Sequence, residues 1–242
     1  MPIAHFPYFS TPDPTVKRKS GWLMPVFMNS TKLGFVTQAP YFWALAPNYD
    51  LTLTPFLLSR RGFGVGVDYR YLTERSQGKI GTDYLPGDDL SNSDRRLSTI
   101  THQTDFTDSL RLDADLADAS DSRYFEDFGL GPDGTSITFL DRQMHLTWLG
   151  DGWRLDGRVQ DYQVIDLTVE ALDRPYSRLP QVAFTGLWPL PAGFEASFDA
   201  ETVWFERETG VTGLRGDAMP RIAWGLRGAG YHLEPSAAWR VT

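Results

Sequence analysis

The chain has 242 residues, of which 41% are apolar, 14% aromatic and 22% charged, with 31 acidic against 23 basic side chains and a net charge of -8. It is too apolar for a disordered chain, has no 18-residue apolar run of the kind a membrane helix needs, and is too acidic for a general binder of nucleic-acid phosphates. With no cysteine there is no disulfide, thiolate nucleophile or Cys-ligated metal; with 33 aromatics, 22 Gly and 16 Pro, the mixture favours strands and turns over helices.

Residues 1 to 21 hold Pro2, Pro7, Pro12 and Pro14 and the basic cluster Lys17, Arg18, Lys19, and read as a connection rather than a strand. They lack a basic n-region followed by an apolar stretch, so they are not expected to act as an export signal. From residue 22 the pattern becomes strand-like to the end of the chain. Two prolines fall inside the first such runs, Pro25 in Trp22-Leu23-Met24-Pro25-Val26-Phe27 and Pro40 in Gln38-Ala39-Pro40-Tyr41. Proline has no N–H and deletes a ladder hydrogen bond, so they are either a weakened seam or ordinary strand-end prolines.

Strict alternation then sets in. Phe63, Val65, Val67, Tyr69 and Tyr71 oppose Gly64, Gly66, Asp68 and Arg70, and the same holds for Leu110 to Leu116, Trp153 to Val159 and Phe194 to Trp204. Longer loops are expected at 86–95 and 119–134, and a tight turn at Gly150-Asp151-Gly152. About ten to twelve strands result, many of roughly ten residues. That length suits a tilted membrane-spanning strand better than the five or six residues usual in soluble sheets. The expected fold is therefore all-β, part of an antiparallel outer-membrane β-barrel; a soluble β-sandwich that binds carbohydrate and a passive pore or receptor barrel are the alternatives.

Little chemistry is on offer. The four histidines, His5, His102, His145 and His232, are scattered, no nucleophile elbow or phosphate loop occurs, and the adjacent carboxylates Glu126 and Asp127 would point to opposite faces of a strand. The acidic run from Asp88 to Asp94 lacks the glycine and bidentate glutamate of a calcium loop. No enzyme, metal site or cofactor is expected.

Several stretches carry a resemblance: Pro7-Tyr8-Phe9, Lys17 to Pro25, Ala39 to Pro55, Tyr69-Arg70-Tyr71-Leu72, Asp83-Tyr84-Leu85-Pro86, Tyr124 to Gly129 and Arg178-Leu179-Pro180-Gln181. In order and spacing they resemble the LPS-assembly protein LptD (OstA/Imp) family of Gram-negative outer membranes. The resemblance implies that residues 1–21 lead out of a periplasmic jellyroll and 22–242 form the first half of the barrel. It further implies a transporter that passes lipopolysaccharide (LPS) sideways into the outer leaflet, with Pro25 and Pro40 weakening the lateral gate and Lys17, Arg18 and Lys19 near the LPS phosphates. The partners it implies are LPS, outer-membrane lipid, the lipoprotein plug LptE and, through the jellyroll, the periplasmic bridge LptA.

Overall fold

The computed structural model describes residues 18–129 and 137–242; the prolines at 2, 7, 12 and 14, Lys17 and His5 lie outside them. Its main feature is one antiparallel sheet of 15 strands. The first two are split: β1 (Gly21–Trp22) and β2 (Val26–Ser30) continue one another, as do β3 (Gly34–Gln38) and β4 (Tyr41–Ala46). Then come β5 (Tyr49–Leu58), β6 (Gly62–Leu72), β7 (Ser76–Asp88), β8 (Ser93–Thr107) and β9 (Leu110–Ala119). A five-residue helix, α1 (Tyr124–Phe128), precedes β10 (Phe139–Gly150), β11 (Trp153–Val164), β12 (Ser177–Pro189), β13 (Phe194–Glu206) and β14 (Gly213–Trp224). Three short strands follow, β15 (Leu226–Gly228), β16 (Tyr231–Leu233) and β17 (Ser236–Ala238), of which β17 closes on β14.

Every strand from β5 to β14 pairs with its sequence neighbour, so the wall is an unbroken meander. Each of the ten has between 10 and 15 residues. At about 3.3 Å per residue and a tilt near 45° that is the reach needed for a hydrocarbon layer of about 30 Å.

Register turns the alternation of the sequence into two continuous faces. On one face the partners run Asp50, Arg70, Lys79, Thr101, Asp115, Gln143 and Gln160 from strand to strand. On the other, Leu57 pairs with Phe63, Val65 with Tyr84, Ile80 with Ile100, Leu112 with Leu146, Met144 with Val159, and Ala196 with Ile222. Large apolar side chains on this second face stand open, among them Phe63, Ile80, Leu146, Trp148, Val159 and Ile222. A water-soluble sandwich buries its apolar face and wets its polar one; here the apolar face is the exposed one.

The two ends of the wall differ. One end turns tightly, as at Gly152, whose φ of +73° lies in the left-handed region and where a Cβ would come 2.6 Å from the Leu187 carbonyl oxygen. That end carries an aromatic belt: Tyr49 stacks on Tyr69, Trp153 meets Trp148 and Phe184, and Phe194 stacks on Trp224. The other end holds the long connections 120–138 and 165–176, and α1 in the first of these folds back onto the polar face.

Two sequence expectations are corrected. Residues 86–95 are mostly strand, with only Asp89–Asn92 in the turn, because β7 and β8 stay paired up to Asp88 and Ser93. Glu126 and Asp127 sit on α1, not on a strand. The aromatic cluster of this segment buries Tyr124 and Phe125 against Ala119, Leu140 and Ile165, a three-dimensional contact that a strand could not make with both rings.

Candidate functional site: the first hairpin and its anchors

The first hairpin interrupts its own pairing at mid-height. Trp22 pairs with Tyr41 and Val26 with Gln38, so Leu23, Met24 and Pro25 on one strand face only Ala39 and Pro40 on the other. The Leu23 N–H donates to the Pro40 carbonyl at 2.8 Å. A strand residue aims its N–H and C=O to the same side, so the bond that position 40 would return to the first strand is the one proline cannot make. Pro25 removes a further donor on the facing strand. The two prolines of the sequence are thus brought to one level of one seam, and they divide each strand in two.

Below this level the hairpin is anchored by charge. Arg18 donates to the Pro47 carbonyl at 2.7 Å and pairs with Asp50, whose carboxylate also accepts from Arg70 Nε at 2.8 Å. The Asp50 side chain is 3% exposed. The Arg18 contact spans β4, tying the chain before β1 to β5. Lys19 is exposed beside it.

Above the break the anchor is α1. Arg61, Asp88, Arg95 and Asp127 form a closed network in which Asp88 accepts from Arg61 at 2.6 Å and from Arg95 at 3.2 Å. Asp127 meets both arginines at 2.9 Å, and both guanidinium groups lie 5.0 Å from the centre of the Phe128 ring. The Asp88 side chain is fully buried. Burial opposes the charge on Asp127, but hydrogen bonds from Arg95 and Arg61 outweigh it and hold its carboxyl below the ordinary range. The network touches the hairpin tip: Lys32 Nζ donates to the Glu126 carbonyl at 2.5 Å, Arg61 Nε to the Lys32 carbonyl at 3.3 Å, and Arg60 to the Thr31 carbonyl. Phe128 and Met28 pack on a small core of Leu33, Val36, Phe56, Leu58 and Leu85.

Sequence reasoning singled out Pro25, Pro40 and the basic cluster. It weighed Asp88 and Asp127 for other roles and did not join them with Arg61 and Arg95, the partners being 7 to 66 residues apart where they meet. Among the described residues there is no group of three or more metal-ligating side chains and no helix long and apolar enough to cross a membrane.

A meander of strands this long, with an exposed apolar face, a polar face, an aromatic belt at the short-turn end and long connections at the other, defines a wall of an outer-membrane-type β-barrel. The particular family follows from sequence comparison. The family model for LPS transport system D matches residues 93–242 and that for the LptD protein matches residues 1–128; the chain belongs to the LptD family. It is 35% identical over 229 residues to the LPS-assembly protein LptD of Nitrosococcus oceani, covering 93% of this chain and 31% of that protein. The LptD proteins of Bordetella pertussis and Xanthomonas euvesicatoria are 34% and 31% identical and cover all of it. The chain spans about a third of the length of these relatives.

Proposed function

We propose that this chain is the leading part of a barrel in the outer membrane that moves LPS into the outer leaflet through a lateral gate at its first hairpin. The observation that carries this reading is the paired interruption at Pro25 and Pro40. A cargo with sugars on one end and acyl chains on the other can leave a barrel only sideways, and sideways exit needs a seam that parts. Each absent ladder bond lowers seam stability by roughly 0.5 to 1.5 kcal/mol, while a complete ladder in lipid would be expensive to open, because lipid offers its broken bonds no partner. The polar face, with Arg70, Lys79, Asp115 and Gln143, suits a lumen that takes saccharide and a plug such as LptE, and the apolar face suits lipid. Residues 1–21 lead in from a jellyroll that receives cargo from LptA, and residues 22–242 form the barrel part.

Of the basic cluster, Lys19 is free to meet a lipid A phosphate directly, whereas Arg18 would first have to exchange Asp50 for it. The reading involves no covalent step and no cofactor.

The test places a photo-crosslinking residue at Val26 of the full-length protein in cells. LPS is expected to be captured in an energy-dependent way, and substitution of Pro25→Ala with Pro40→Ala is expected to reduce capture. A passive pore would give small-solute conductance with no LPS adduct, and that result in a folded protein would sink the proposal.

A further inference from the structure

The prolines of the gate are not two but three. Pro55 lies in the middle of β5, and β3 and β4 both pair with β5 in one register, Gln38 with Phe56 and Tyr41 with Leu53, which sets Ala39 opposite Pro55. The Ala39 N–H donates to the Pro55 carbonyl at 3.1 Å. By the same-side rule, the return bond from position 55 to the Ala39 carbonyl would use the N–H that Pro55 does not have. Pro25, Pro40 and Pro55 therefore stand side by side on three consecutive strands, and donors are missing from the first strand seam and from the second at the same height.

The two arrangements have different mechanical consequences. Missing bonds spread along one seam would let the first strand peel from its neighbour. Missing bonds placed across three strands at one height make a transverse fold line. We propose that the moving part of the gate is the upper half of the hairpin alone, β2 with β3, which bends outward on this line, and that Pro55 is the residue that extends the line into β5. This rests on the gate reading above and refines it.

The surroundings of the line fit. Below it, Arg18 and Arg70 fix Asp50, so the lower half is bound to the rest of the wall by charge as well as by the β4 ladder with β5. Above it, β2 and β3 are fully paired with each other from Val26–Gln38 to Ser30–Gly34, and β3 joins β5 through Val36, Thr37 and Gln38, the contact running on past β5 where the Ser59 N–H donates to the Phe35 carbonyl at 3.0 Å and the Arg60 N–H to the Leu33 carbonyl at 3.3 Å. The flap is thus a coherent two-stranded unit attached to the wall along the β3 edge alone. What holds it shut is that edge, the packing of Leu33 and Val36 against Phe56, Leu58 and Leu85, and its tip, where Lys32 reaches the Glu126 carbonyl of α1 and Arg60 reaches Thr31.

The experiment uses the full-length protein reconstituted with its lipoprotein partner in lipid nanodiscs, with pairs of spin labels on exposed positions. One pair, Phe35 and Phe63, spans the flap and the wall above the line; the other, Trp43 and Leu72, spans the hairpin and the wall below it. The upper pair is expected to give a broad, partly long distance distribution and the lower pair a narrow one. Pro55→Ala, and Pro55→Val as a second replacement suited to an outward-facing strand position, are expected to collapse the upper distribution to the width of the lower and to slow LPS delivery. Equal widths for the two pairs, or an upper distribution indifferent to both replacements, would overturn the fold line. The Pro25→Ala/Pro40→Ala protein separates the two ideas: if it also delivers LPS normally the gate itself is misassigned, and if it alone is impaired the gate stands and Pro55 has no part in it.

Discussion

At the scale of single residues the four charges behind the hairpin tip are costly groups to bury: Arg61, Asp88 and Arg95 are almost wholly out of water. Taking a charged pair out of water is recovered only when every partner is present, and loss of one partner from a buried pair costs about 3 to 5 kcal/mol. Asp127 is the member carried by α1, so its protonation state decides whether the helix stays docked against Arg61 and Arg95, with Asp88 and Asp121 the other acids facing these arginines. Its carboxyl is held below the ordinary value, so the stabilisation it gives is complete above the unfolded-state pKa of about 3.9 and is lost as pH falls through the lower folded value. A spin label at Glu126 is therefore expected to stay immobile from pH 7 down to about 5, above that range, and to become mobile only in stronger acid. In Asp127→Asn it should be mobile throughout. Mobility that rises already between neutral pH and the mildly acid end would show that some other group controls docking.

Among the elements, α1 is the one whose place could not be read in advance. The long strands could: the alternation from Phe63 to Tyr71 and from Phe194 to Trp204 is a local property, and pairing kept it intact as one face of β6 and of β13. The turn at Gly150-Asp151-Gly152 and the two proline interruptions were equally local. A five-residue helix has no period to display, and its cue, the aromatics Tyr124, Phe125 and Phe128, acquires meaning only beside Phe56, Leu85 and the two arginines that the sheet brings there. The same is true of Gly64. It read, with Gly66, as part of the alternation opposite Phe63 and Val65, and the structure gives it a specific duty: a Cβ there would lie 2.6 Å from the Tyr84 carbonyl oxygen and would run into the Phe56 ring. Phe56 belongs to the small core that receives Phe128. Gly64→Val is thus expected to displace Phe56, loosen the seat of α1 and speed hydrogen exchange at the Gly129 amide, which bonds to the Phe125 carbonyl. The same change at Gly216, where a Cβ meets nothing within 4 Å, should leave that amide unaffected. Equal exchange in the two variants would mean that the glycine serves strand conformation and not the helix seat.

At the scale of the whole molecule, the meaning of the wall depends on which face meets lipid. Leu146 and Gln143 are three residues apart on β10 and point to opposite faces, Leu146 opposite Leu112 on β9 and Gln143 opposite Asp115. In water the two positions would tolerate lysine alike, since both stand on an open sheet surface. In a bilayer they would not: a lysine near the midplane of the lipid face costs about 2 to 4 kcal/mol, and one on the lumen face meets water and carboxylates. Leu146→Lys in the full-length protein is therefore expected to lower the yield of folded barrel in lipid vesicles, and Gln143→Lys to leave it near the parent level, because Asp115 offers the new cation a partner. The asymmetry is the informative quantity, since a general loss of strand propensity would affect both. A reversed asymmetry would turn the wall inside out, moving the α1 network and the Arg18 anchor from the lumen to the lipid, where neither set of charges could persist.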